Sequence, residues 1–294
     1  MSDKTPPARD LCDPAAYINR ELSWIEFNNR VLEEGLSSSA APLDRLKFLA
    51  IVSSNLDEFF MIRVAGLRRQ AAAGLTRRDP SGLTPAEQLR EISRRVHDTV
   101  ARQSDGVRKA LARLQEGGIE LLPAKALTPA QAAHLAQHFA AEVLPLLTPL
   151  SAADLDPFPI LPGRVLNLAV LLEPEAASAA PGAAPAAPAV AVLPIPRLLS
   201  RFIALPGEKP LRLVAIEDAI RPNLGRLFPG MHVAATALFR LTRDADVSVE
   251  DESARDLLIE MEEAVRARRR RDVVRLELSA APDPRLKHWL LDWC

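Results

Sequence analysis

Residues 46–70 read LKFLAIVSSNLDEFFMIRVAGLRRQ, and how this run is parsed decides the first half of the chain. Pro42 opens a helix as a first-turn proline, and Leu43, Leu46, Phe48, Leu49 and Ile51 are predicted to face inward from it. Ser53-Ser54-Asn55 reads as a short polar break. Asn55 followed by Glu58 has the N-cap and N3 pattern of a helix start. A third helix is therefore predicted from Asn55 into the Ala-Ala-Ala-Gly run at 71–74. On the residues alone Asn55 is first of all a helix cap. A side-chain amide beside unpaired N–H groups at a helix N-terminus is also well placed to meet a phosphate or a nucleotide.

Working outward, residues 1–16 read as a proline-rich, disordered tail. Leu22, Ile25, Val31 and Leu32 recur at helical spacing and predict a first helix over 18–36, with Trp24 as a core residue. Thr84-Pro85-Ala86-Glu87 is a capping box opening a long helix, with Leu89, Ile92, Val96, Val100, Val107, Leu111 and Leu114 along one face. These helices predict an all-α domain over 17–105. From 106 to 294 the pattern is mixed. Thr128-Pro129 caps a helix to about 146, and a proline-punctuated loop follows over 147–159. Strands are predicted at 165–172, 190–195, 201–205, 211–216, 232–240 and 272–279, and helices at 217–224, 250–268 and 284–292. Residues 173–189 are low-complexity Ala, Pro and Glu and read as a flexible loop. The fold class is thus α+β in two domains, a helical amino-terminal one and a mixed second one.

The 294 residues are 48% hydrophobic and 26% charged, the composition of a soluble globular protein. Apolar runs are broken by proline or charge well short of a membrane span. The first residues, MSDKTPPARDLCD, lack a signal-peptide pattern, so a cytoplasmic protein is expected. Cys12 and Cys294 stand near the two ends, with neither zinc spacing nor a disulfide framework. The net charge is −1, but residues 61–113 hold twelve Arg or Lys against five Asp or Glu. That basic stripe suits a polyanion, and a solvated helix face explains it equally.

Tyr17-Ile-Asn-Arg-Glu-Leu-Ser-Trp-Ile-Glu-Phe-Asn-Asn-Arg-Val-Leu32 and Ser53-Ser-Asn-Leu-Asp-Glu-Phe-Phe-Met-Ile-Arg-Val64 together resemble the amino-terminal domain of bacterial polyphosphate kinase. Ile195-Pro-Arg-Leu-Leu-Ser-Arg-Phe-Ile203, Ile216-Glu-Asp-Ala-Ile220, Leu227-Phe-Pro-Gly230 and Phe239-Arg-Leu-Thr-Arg-Asp-Ala-Asp246 resemble its middle, or head, domain. The resemblance runs from about Tyr17 to about Leu278. The tail after Ser279 fits it poorly, the 173–189 loop looks inserted, and Pro157-Phe-Pro159 lacks an expected histidine.

The resemblance implies reversible transfer of the terminal phosphate of ATP to inorganic polyphosphate. It carries ATP binding onto Asn55, and dimerisation and a basic polymer tunnel onto the second domain. Candidate polyphosphate contacts are Arg240 and Arg243, and Arg268 and Arg269 within the basic cluster at 266–271. Arg240 and Arg243, three apart on a strand, face opposite ways unless a bulge intervenes. The partners implied are ATP, polyphosphate, and a second copy or a catalytic fragment. In the family the phosphohistidine and the Mg²⁺ site lie in two further catalytic domains, so the chain reads as a non-catalytic amino-terminal part. None of His97, His134, His138, His232 and His288 stands in the context of that histidine. His134 and His138 are spaced i, i+4 but have no evident third metal ligand. No Gly-x-x-x-x-Gly-Lys loop is present. The rival readings are an inactive polyphosphate-binding or assembly module and a nucleic-acid binder. An aromatic content of 4% leaves few stacking platforms for bases, which counts against the second.

Overall fold

The computed structural model describes residues 13–152, 160–174, 189–207, 209–245 and 272–294. The chain forms two compact units, Met1–Ala112 and Arg113–Cys294. The division falls inside a helix, seven residues beyond the boundary read from sequence.

The first unit is helical. Helix α1 (Arg20–Leu36) starts at Asn19, whose side chain accepts from the N–H groups of Glu21 and Leu22. Helix α2 spans Pro42–Phe59, runs on through a π-helical turn at Phe60–Val64, and continues as α3 (Ala65–Ala72). The break predicted at Ser53-Ser54-Asn55 does not exist, and Asn55 is not a helix cap. Val52, Leu56 and Phe59, each at most 1% exposed, must all face the core. That burial holds the backbone helical through residues that prefer caps and turns. Helix α4 (Pro85–Glu116) opens on the predicted capping box, in which the Glu87 carboxylate accepts from Thr84 N–H and Glu87 N–H donates to Thr84 Oγ1. The core joins Leu22, Ile25 and Leu32 of α1, Leu49, Val52, Leu56 and Phe59 of α2, and Ile92 and Val96 of α4.

The arginines of α4 are mostly matched by carboxylates. Arg94 and Arg95 pair with Glu91, Arg95 also with Glu26 of α1, Arg102 with Glu33 of α1, and Arg108 with Asp105. The basic stripe is therefore locally compensated.

The second unit is α+β. A five-stranded antiparallel sheet has the order β2-β4-β3-β7-β8, built from Leu150–Ser151, Ala189–Pro194, Leu166–Pro174, Met231–Arg243 and Val273–Leu278. Leu168 to Leu172 of β3 are all buried, because the strand is covered on both faces. One face packs on α5 (Pro129–His138), the turns after it, and α6 (Ile216–Ile220). The other packs on Leu286 and Leu290 of α7 (Pro284–Trp293). A smaller sheet has the order β1-β6-β5, from Ile119–Leu121, Leu211–Ala215 and Phe202–Ala204. Strands β1 and β2 are too short to carry a period and are absent from the sequence reading. The predicted helix at 250–268 and the loop at 173–189 lie almost wholly outside the described residues.

Candidate functional site

In the first unit α1 and α2 pack side by side, and two asparagines meet between them. Asn28 is fully buried. Its Nδ2 donates to the carbonyl of Val52 at 3.3 Å, and its Oδ1 accepts from Asn55 Nδ2 at 3.0 Å. Asn55 is half-buried. Of the α2 residues predicted to face inward, Leu43 and Ile51 are 54% and 44% exposed, because the stripe that reaches the core is Leu49, Val52, Leu56 and Phe59.

One turn further along α2, the helix pair opens into a cleft of about 500 Å³ lined by Arg20, Glu21, Trp24, Phe59, Ile62 and Arg63 among others. Trp24 stacks on Phe59 with ring centroids 4.3 Å apart and planes within 4°. The Glu21 side chain, only 7% exposed, is held by Arg20 at 2.7 Å and Arg63 at 3.3 Å. Arg63 belongs to the π-helical turn, an irregularity that recurs at functional sites because it re-aims side chains. Asn55 does not line this cleft. Asn55 is in mid-helix, with no free helix N–H groups beside it, so the helix-terminus phosphate site expected there does not form.

A second polar network fixes the start of α1. Asn19 Nδ2 donates to Asp79 at 2.7 Å and to Gln88 Oε1 at 3.0 Å, while Asp79 Oδ1 accepts from Leu83 N–H at 2.8 Å. Burial alone would raise the Asp79 pKa, but hydrogen bonds from Leu83, Ser81 and Asn19 hold it below the ordinary carboxylate value.

In the second unit the bulge between Thr242 and Arg243 interrupts the alternation of β7. Arg240 Nε donates to Glu277 Oε2 on the neighbouring strand at 2.8 Å. Arg243 Nε donates to the carbonyl of Leu161 at 3.0 Å. Burial pushes the Arg243 guanidinium pKa below its usual value, against the charges of Cys294 and Asp272. Both arginines are thus engaged with the protein. Arg268 and Arg269 lie outside the described residues, as does the whole 266–271 cluster. Among the described residues no three His, Cys, Asp or Glu side chains gather where they could hold a metal ion. No helix among them is long and apolar enough to cross a membrane.

Asn28 and Glu21 are absent from the sequence-derived candidates, although a signal exists for Asn28. It falls at i+3 from Ile25 and i−4 from Leu32, an amide on the buried stripe of α1. The cleft and the π turn left no such trace.

Comparison with known proteins bears on both units. The family model described as the polyphosphate kinase N-terminal domain matches residues 17–122, and that for the polyphosphate kinase middle domain matches residues 130–294. The second match runs through the tail after Ser279, where the resemblance read from sequence fades. A polyphosphate kinase of Thermosynechococcus vestitus is 41% identical over 98% of this chain and 39% of its own length. One from Halalkalibacterium halodurans is 40% identical over 96% of this chain and 40% of its own length. The crystal structure of polyphosphate kinase from Porphyromonas gingivalis superposes with a TM-score of 0.62 at 29% identity, covering 87% of this chain and 38% of that one. With both domain models matched in order along its length, and spanning about two fifths of the relatives it matches, this chain belongs to the polyphosphate kinase family.

Proposed function

We propose that this chain serves the reversible transfer of the terminal phosphate of ATP to inorganic polyphosphate, as a nucleotide-binding and assembly part rather than as the catalytic one. The observation that carries this reading is the half-exposed amide of Asn55, braced from below by Asn28 within the matched N-terminal domain. Asn55 forms part of one wall of the ATP site, and the Trp24–Phe59 cleft one turn away extends the same surface. The second unit provides contacts to another copy or to a catalytic polypeptide. Support for polymer contacts at Arg240 and Arg243 is weaker, because each guanidinium already has a protein acceptor. Phosphoryl transfer needs the moving group held in line and its charge neutralised. The chain covers about two fifths of the length of the relatives it matches. The chemistry is assigned to the part of those relatives that this chain does not cover.

The test is phosphate transfer from labelled ATP to polyphosphate by the purified chain, with and without a catalytic fragment of a relative. No product from the chain alone, and product on complementation, is the expected result. Turnover by residues 1–294 alone would overturn the assignment.

A further inference from the structure

We infer that the outer face of the small sheet β1-β6-β5 is an interface between two copies of this chain, packed face to face about a two-fold axis. This deepens the reading of the second unit as an assembly domain and rests on it. The register places the side chains. Ile119 lies beside Leu211, Leu121 beside Leu213, Leu213 beside Ala204, and Ala215 beside Phe202, and residues paired across a sheet share a face. The alternate residues Val214 and Ile203 are buried in the core of the second unit. The seven on the other side therefore point away from that core. All seven are apolar. Phe202, Leu211 and Leu121 are 45%, 45% and 39% exposed, and none of the seven joins a core cluster among the described residues. A sheet with one face in water alternates apolar with polar residues, and a sheet apolar on both faces is one that is covered on both.

The charges decide the occupant. Glu120 and Arg212 stand on the inward side, where Arg212 Nε donates to Glu120 Oε2 at 3.0 Å. Arg201, whose guanidinium lies 5.9 Å from the centre of the Phe202 ring, donates to Glu217. The outer face thus carries no charge and no hydrogen-bonding side chain that could select a different protein. A second copy needs none, since a two-fold axis sets an apolar face against itself without opposing like charges. The face offers about 400–500 Å² per copy, or about 800–1,000 Å² in a pair, below the usual size of a stable interface. A weak dimer is therefore expected, dissociating at about 1–100 μM.

The test is sedimentation equilibrium of the full chain across that concentration range, with fold content read by circular dichroism. Wild type is compared with Leu211→Glu, Phe202→Ser and, as a control, Leu291→Glu, which changes an exposed leucine of α7 instead. Wild type and Leu291→Glu are expected to dimerise alike. Leu211→Glu, which sets a carboxylate against its own copy, and Phe202→Ser should each weaken the dimer about 30-fold or more. Should one of these two lose its fold, the other decides. A dimer left intact by both overturns this face and leaves the assembly reading standing. Equal weakening by Leu291→Glu marks association through exposed apolar residues at large and overturns it as well. A wild type that stays monomeric overturns the pairing of copies. If a catalytic fragment of a relative then binds it and Leu211→Glu abolishes that binding, the face belongs to a different partner and the assembly reading survives. If neither a second copy nor the fragment binds, the assembly reading falls too.

Discussion

Helices α1, α2 and α4 cross at Leu49, and two glycines make the crossing possible. A Cβ added at Gly35 would lie 2.8 Å from Leu49 Cγ and Cδ2 and 3.2 Å from the Leu49 backbone nitrogen. One added at Gly106 would lie 2.6 Å from Leu36 Cδ2. Leu49 is itself 1% exposed and has nowhere to retreat. Gly35→Ala therefore sets two effects against each other. Replacing a helical glycine by alanine is worth about 0.5–1 kcal/mol, and less at the penultimate residue of α1. Overpacking a close-packed core costs about 1–3 kcal/mol. The clash wins, for a net loss of about 1–2 kcal/mol, or about 5–10 °C in the melting of a unit of this size. Gly66 of α3 is the control. Its added Cβ meets nothing closer than Arg69 Nη2 at 3.9 Å, so Gly66→Ala should stabilise by up to about 1 kcal/mol. The same substitution thus carries opposite signs at two helical sites. Thermal melting at 222 nm reads the shift, and hydrogen exchange of α1, α2 and α4 peptides assigns it to the first unit. A Gly35→Ala chain that melts at or above the wild-type temperature would refute the crossing argument.

Other expectations follow from the same geometry. Asp79 has a folded pKa below its unfolded value, so its contribution is present above about pH 4 and lost as pH falls through the folded pKa. Asp79→Asn should weaken the first unit at pH 7 and flatten its acid-unfolding limb below pH ~4; an acid limb identical to wild type would count against the Asn19–Asp79 network. In the second unit, Leu290 of α7 is fully buried against the sheet. Leu290→Ala should cost about 2–5 kcal/mol in urea unfolding, and a loss under ~0.5 kcal/mol would mean that α7 does not cover that face.

Much of the helical unit is legible in its sequence because its signals are local. The Thr84 capping box and the Thr128 cap form as read, and the apolar residues of α1 and of the first part of α4 face the core. Asn55 shows where local chemistry misleads. Ser-Ser-Asn followed by Glu three residues later is a helix start in most settings, but Val52, Leu56 and Phe59 needed one continuous helix to reach the core together. The resemblance points to Asn55 independently of the capping argument, which the continuous helix removes. What the sequence does not reveal is non-local. Asn28 acquires meaning only when α2 is laid beside α1, the Glu21 ion pairs only when the π turn aims Arg63 at it, and the Arg240–Glu277 pair only when β8 joins β7. Strands as short as Leu150–Ser151 exist by pairing alone.

Isothermal titration of the chain with ATP, comparing wild type with Asn55→Ala at equal fold content, tests the account most directly. ATP is expected to bind the wild type, and Asn55→Ala to weaken binding about ten-fold, equivalent to about 1.4 kcal/mol. Equal affinity in the two chains, or no binding to the wild type, would contradict it.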